Sequence, residues 1–209
     1  MSLLYFMVYI GGIRQLFVHY EIIKGSKRYM RYTIVRFDGS MLQLLPHLQE
    51  PFDVIGRLIP HYDGNVWDVA EELLDEPSEK TYPDDSFDPN EYVDNPDQAA
   101  FLAMINGQCV GSIRVCRRWN HNAFIDDLAI DRIHRGHGVG KMLMDAAVKW
   151  GQEKGLYGVS LETQDWNLLA CRFYIKYGFK LGGMDNKVYK AVPYPGETAL
   201  YFYMLSDSE

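Results

Sequence analysis

At 209 residues, 47% hydrophobic and 23% charged, the chain has room for one domain with a substantial core plus an appendage, and its fifteen tyrosines argue against disorder. The net charge of −7 conceals an asymmetry: residues 63–97 hold thirteen Asp/Glu against the single Lys80, so this stretch carries −12 and the remainder is mildly basic. Such a face disfavours nucleic acid and favours a polycationic ligand.

In residues 1–29 the apolar runs are interrupted by Arg14 and never reach the ~20 residues of a membrane-crossing helix. No small-residue cleavage site follows a clean apolar region, which argues against a secretory leader. Residues 1–40 read either as an extra strand or helix packed on the domain or, preferably, as an extension ahead of a start at Met30 or Met41, with the domain at 41–209. From Met41 to Tyr62, the apolar Leu42, Leu45, Leu48, Phe52, Ile55, Leu58 and Ile59 predict short helices broken by Pro46, Pro51 and Pro60. Asn65 is placed to cap a further helix through Glu76, with Val66, Val69, Ala70 and Leu73 inward and Asp68, Glu71, Glu72 and Asp75 outward. Residues 77–96 are acidic and turn-rich, a loop suited to lie across a site.

The sheet is predicted to begin at residues 99–105, turn at Asn106-Gly107 and return through 109–117, since Asn-Gly between apolar runs is a strong hairpin signal. A turn at 119–122 leads to a strand at 124–130, then to the loop Arg135-Gly136-His137-Gly138-Val139-Gly140. An amphipathic helix follows: Val139, Leu143, Ala146, Ala147 and Trp150 share one face, Lys141, Asp145, Lys149 and Glu153 the other, and Gly155 stands as terminator. Next come a strand at 158–163, a helix at 167–177 stopped by Gly178, and two strands near 187–192 and 199–204. Hairpins feeding a β-loop-α-β-α unit and finished by antiparallel strands predict an α/β (α+β type) fold, a mixed, mostly antiparallel sheet with helices on both faces. Cys109, Cys116 and Cys171 are widely spaced with no His at ligand spacing, and read as buried thiols of a reducing cytosol; no metal is expected.

A helix N-terminus presents unpaired N–H groups and partial positive charge, so glycines at its mouth let a phosphate reach bare amides. A P-loop is excluded because Gly136 and Gly140 are separated by three residues and Met142, not Ser or Thr, follows Lys141. The dinucleotide fingerprint fails because the run closes one residue early. An ordinary glycine-rich turn remains the plain alternative for these six residues.

The pattern Arg135-x-x-Gly138-x-Gly140 directly after Leu128-Ala129-Ile130 resembles the acyl-CoA signature of the GNAT superfamily of N-acetyltransferases. Leu161-Glu162-Thr163-Gln164, then Asn167, then Arg172-Phe173-Tyr174-Ile175-Lys176-Tyr177-Gly178-Phe179 look like that family's second half. The resemblance implies a sheet whose central strands splay, and acetyl-CoA held by Leu128, Ala129, Ile130, Arg135, Gly136, His137, Gly138, Val139, Gly140, Lys141 and, on the pantetheine arm, Asn167. A strand bulge at 128–130 is expected to present an amide to the thioester oxygen. Tyr174 takes the place of the general acid near the CoA sulfur. Glu162 ranks narrowly ahead of Asp126 as base, and strand alternation is expected to send Asp126 and Asp127 to opposite faces. A carboxylate of ordinary pKa near 4 is weak against an ammonium, so it acts through water or binds the cation. His134 and His137 are read as solvated.

Longer strings, Pro46-His47-Leu48-Gln49-Glu50-Pro51-Phe52, Gly155-Leu156-Tyr157-Gly158 and Asn167-Leu168-Leu169-Ala170-Cys171-Arg172-Phe173-Tyr174, resemble the streptothricin acetyltransferases, which N-acetylate the β-lysine part of a cationic antibiotic. The function this implies is acetyl-CoA-dependent acetylation of a primary amine on a cationic small molecule, streptothricin first, by a cytoplasmic monomer or homodimer without nucleic-acid or membrane partners. Two alternatives stay open: acetylation of protein N-termini or lysines, and a non-catalytic acetyl-CoA-binding module.

Overall fold

A computed structural model describes residues 6–10, 13–17, 20–23, 26–44, 51–82, 87–191 and 196–206. Strands β1 (Phe6–Ile10) and β2 (Ile13–Phe17) form one antiparallel pair, β3 (Tyr20–Ile23) and β4 (Ser26–Tyr29) a second. There follow β5 (Thr33–Arg36), a hairpin of β6 (Phe52–Tyr62) and β7 (Trp67–Lys80), then β8 (Gln98–Ile105), β9 (Gln108–Arg117) and β10 (Asn122–Ile130). Helix α1 (Val139–Glu153), β11 (Gly158–Gln164), helix α2 (Leu168–Tyr177), β12 (Lys180–Asp185) and β13 (Ala199–Leu205) complete the chain.

Seven strands form the main sheet in the order β12-β13-β11-β10-β9-β8-β5, and only β10 and β11 run parallel. Parallel neighbours need a crossover, which α1 supplies. The parallel ladder is short: Asn122 through Ile125 pair with Gly158 through Leu161, and beyond these residues β10 continues on β9 while β11 continues on β13. The middle of the sheet therefore opens into a wedge, with Asp126 to Ile130 on one edge and Glu162 to Gln164 on the other.

Helix α1 buries Val139, Leu143, Ala147 and Trp150 on the stripe its periodicity defines, against a core containing Ile113, Val115, Ala123 and Ile125. Leu168, Cys171 and Tyr174 of α2 join the same cluster with Leu161 and Phe202. A smaller cluster of Phe37, Tyr92, Ala100 and Leu102 lies under the 3-10 turns Gly39–Met41 and Pro89–Tyr92. The Asn106-Gly107 hairpin turn, the glycine loop and both helices stand where the sequence put them, and Gly155 and Gly178 end the helices at positive φ.

Four expectations give way. Over the described residues, the short helices expected at 41–62 and the helix from Asn65 to Glu76 give way to the strands β6 and β7: Val54, Gly56 and Leu58 are buried at period two, while Ile59, Val66 and Leu73, which a helix would turn inward, are exposed. Asn65 caps nothing; Asp63 Oδ1 accepts from the N–H of Asn65 and of Val66, each at 2.8 Å, and turns the hairpin. The acidic segment starts as strand through Lys80, so only its later part is loop. The strand expected at 187–192 lies earlier, at Lys180–Asp185, hidden in the sequence by Gly182-Gly183; Asp185 Oδ1 then accepts from the N–H of Lys187 (2.7 Å) and Val188 (3.1 Å) and starts a 3-10 turn, Val188–Ala191. At the sheet's far edge β5 pairs with β8, and Tyr32 and Phe37 on either side of β5 are buried. Pro46, Asp84, Asp85 and Val192 lie outside the described residues.

Candidate active site

The wedge and the glycine loop meet at the end of β10. After Ile130, Asp131 caps a single 3-10 turn, Arg132–His134, through the N–H of Ile133 (3.2 Å), and the chain enters the loop. Gly138 is the N-cap of α1 at φ +82°, a left-handed conformation that costs an L side chain strain, and a Cβ there would meet nothing within 4 Å. No acidic side chain occupies the first turn of α1 and no side chain caps it, so no carboxylate of the helix itself competes for its N–H groups and positive dipole end. Gly140 serves another purpose: a Cβ would sit 3.1 Å from Ile130 Cδ1 and 3.5 Å from the Phe173 ring, so its absence lets α1 close on β10 and α2.

Arg135 is hydrogen-bonded to backbone on both sides of the loop. Its Nε donates to Ile130 O (2.9 Å) and an Nη to Pro51 O (3.0 Å), which braces the loop against β10 and the entry to β6. Lys141 pairs with Asp145 (2.7 Å) one turn along α1. His137 and His134 are half-buried rather than solvated, and His134 Nδ1 lies 2.9 Å from the Tyr32 hydroxyl. Leu128, Ala129 and Ile130 line the β10 edge of the wedge. The bulge expected among them occurs earlier, where the ladder skips Asp126 between Ile125 and Asp127.

That bulge overturns the expected alternation of the two aspartates. Asp127 is paired across to Arg114, whose Nε stands 3.7 Å from its carboxylate, while Asp126 accepts from Arg118 (3.2 Å) and from the Cys116 thiol (3.4 Å). Both carboxylates thus look toward the side chains of β9 and its end. Burial raises the pKa of Asp126, against the hydrogen bond from Cys116 and the nearby arginines, and burial together with Asp126 pushes the Cys116 thiol up to about 12. Over this cluster the 87–96 segment lays Phe87 on the Arg114 guanidinium, 4.0 Å from its carbon.

On the other edge, Asn167 caps α2 by accepting from Ala170 N (3.3 Å), and Tyr174 follows two turns on. Tyr174 is buried among Phe173, Phe179 and Phe202. Desolvation, reinforced by the negative charges of Asp127 and Glu162 and by Cys171, drives its hydroxyl well above the usual phenol range, so it stays protonated. Glu162 opens the β11 edge of the wedge and accepts a hydrogen bond from Tyr189, a residue the sequence reading passed over. An aromatic residue two positions past the Asp185 turn was the available signal.

The β6–β7 hairpin closes over this region through ion pairs. Glu71 receives Arg172 of α2 (Nε, 2.9 Å), Arg132 beside the glycine loop holds Asp53 (2.7 Å) and Glu79, and Lys80 pairs with buried Glu197, which also accepts from Tyr82 (2.9 Å). Glu72 is held by Arg57 (2.6 Å), so Glu71, Glu72, Glu79 and, through Arg117, Asp97 of the acidic run are paired with arginine. No group of His, Cys, Asp and Glu placed to hold a metal occurs among the described residues, and no described helix is long and apolar enough to cross a membrane.

A sheet opened at a parallel pair, with a glycine-rich helix start at its mouth and a buried, protonated tyrosine on the following helix, is the arrangement expected of an acyl-CoA-dependent transferase. Residues 67–179 match the acetyltransferase (GNAT) family model. Streptothricin acetyltransferase A of Bacillus subtilis (strain 168) is 40% identical over 154 residues, 74% of this chain and 88% of that protein. The streptothricin acetyltransferase of Streptomyces lavendulae is 31% identical over 68% of this chain and 77% of its own length. A solved structure from Bacillus anthracis str. Ames, assigned as a streptothricin acetyltransferase and complexed with acetyl coenzyme A, superposes with a TM-score of 0.77 at 34% identity, covering 84% of this chain and 99% of the other. The chain belongs to the GNAT acetyltransferase family, and is an N-acetyltransferase that draws its acetyl group from acetyl-CoA.

Proposed function

We propose that the chain acetylates a primary amine of a cationic small molecule, with streptothricin as acceptor, in the cytoplasm, and so confers resistance to that antibiotic. One observation carries the acceptor: 40% identity extends over 88% of the Bacillus subtilis streptothricin acetyltransferase, well beyond the segment matched by the family model.

The residues present suit the donor. The first-turn amides of α1 with Gly136 and Gly138, where added Cβ atoms would meet open space, would receive the pyrophosphate; Leu128 to Ile130 would accompany the pantetheine along the wedge, and Asn167 would hold its arm. Arg135 supports this arrangement by bracing the loop, and Lys141 and His137 border it. Bound acetyl-CoA supplies a thioester whose carbonyl accepts the amine and whose sulfur leaves. Glu162 orients the acceptor ammonium and takes its proton, directly or through water, so that a neutral amine attacks. A backbone N–H of the β10 edge stabilises the developing oxyanion. Tyr174, protonated throughout the working range, donates to the departing sulfur and is reprotonated by the second proton that the acylated nitrogen releases. Asp126, tied to Arg118 and Cys116, supports the acceptor wall in this reading, behind Glu162.

Thiol release measured across streptothricin, aminoglycosides, polyamines and peptides tests the proposal. Streptothricin is expected to give the highest kcat/KM. Turnover of a peptide in its place would transfer the acceptor to protein amines.

A further inference from the structure

Glu162 stands on β11, a strand that holds its backbone, but its carboxylate swings on two methylene carbons and needs further restraint to be useful to an approaching amine. The restraint comes from Tyr189. Gln164, two residues along the same face of β11, donates from Nε2 to the Tyr189 hydroxyl (3.0 Å), and that hydroxyl donates in turn to Glu162 Oε1. The order of donors is dictated by chemistry, because a phenol that accepts from an amide has its own proton left for the carboxylate. Tyr189 is itself placed by the Asp185-capped 3-10 turn, so three separate segments converge on one carboxylate. Tyr201, the cross-strand neighbour of Glu162 on β13, and Tyr82 complete the aromatic surroundings.

We propose that Tyr189, held by Gln164, is a positioning residue that fixes the Glu162 carboxylate at the mouth of the wedge for the acceptor amine. This rests on Glu162 acting as proposed above. Desolvation and Glu162 both push the Tyr189 hydroxyl upward, so it remains a donor at alkaline pH where the amine is increasingly neutral.

The test is a cycle of Tyr189→Phe, Glu162→Gln and the double variant, assayed by thiol release with streptothricin. Tyr189→Phe is expected to lower kcat roughly tenfold while the acetyl-CoA KM holds. Added to Glu162→Gln it should cost nothing more, and the carboxyl titration of Glu162, read by 13C NMR, should move upward by about one unit as a donor to its ionised form is lost. An equal loss in both backgrounds, or an unchanged kcat in Tyr189→Phe, overturns the proposal. Full activity in Glu162→Gln would instead remove Glu162 from the chemistry and this role with it. Acetyl-CoA calorimetry checks folding; if Tyr189→Phe fails it, Gln164→Met carries the test and is expected to shift the Glu162 titration in the same direction, an unmoved titration counting against the proposal.

Discussion

Gly138→Asp isolates the electrostatics of the loop. The position has φ +82° and open space where a Cβ would project, so the new Cβ clashes with nothing. Its conformational strain is about 1 kcal/mol, less for Asp than for most residues, and an acid at a helix start recovers part of that through the dipole. Folding should therefore be little affected. Binding should not survive: a carboxylate about 4 Å from a phosphate repels it by about 4 kcal/mol at an effective dielectric near 20, roughly a thousandfold in affinity. Gly138→Asn has nearly the same shape without the charge and provides the control. Titration calorimetry with acetyl-CoA on both variants, with thermal melts alongside, gives the comparison. Equal affinities for the Asp and Asn variants would refute a pyrophosphate at this helix start.

Tyr174→Phe is expected to lower kcat roughly a hundredfold with acetyl-CoA affinity intact, since the ring keeps its aromatic packing and only the proton donor is gone; parallel kinetics and calorimetry read the split. Leu161→Ala empties a fully buried site between the helices and the sheet and should cost about 2–5 kcal/mol in urea denaturation. The hydrogen bond from Arg172 holds the Glu71 carboxyl below the usual glutamate range, so its contribution is present above the ordinary glutamate pKa and is lost as pH falls through the depressed value. Hydrogen exchange of β7 amides should accelerate over that acid window in the parent and show no such step in Glu71→Gln.

Most of residues 98–178 was legible because there the local signals agree with the tertiary outcome: an Asn-Gly turn between apolar runs, a strand feeding a glycine loop, and a helix stripe of Val139, Leu143, Ala147 and Trp150. The β6–β7 hairpin was illegible because its residues are ambivalent. Glu71, Glu72 and Leu73 favour helix in isolation, and the choice of strand is made by the ladder with β6 and by Arg172 and Arg132, partners distant in sequence. The face reached by Asp126 was beyond alternation rules, since a single inserted residue moves every side chain after it to the other side. Tyr189 was missed for the same reason as β12: Gly182-Gly183 reads as loop, and shifting that strand later hid the turn carrying the tyrosine.

The arginine-clasped hairpin changes what a charge of −12 means to an incoming polycation. Glu71, Glu72 and Glu79 of that acidic run, with Asp53 beside them, already have arginine partners, so an acceptor rich in ammonium groups that settled on these carboxylates would have to displace Arg132, Arg172 or Arg57. Arrival there would be ion exchange. Salt weakens the incumbent contacts along with the new ones, which flattens the ionic-strength dependence of acceptor affinity below that expected from the sequence charge. It would also give a cationic ligand, and no neutral one, a means of loosening the ribbon.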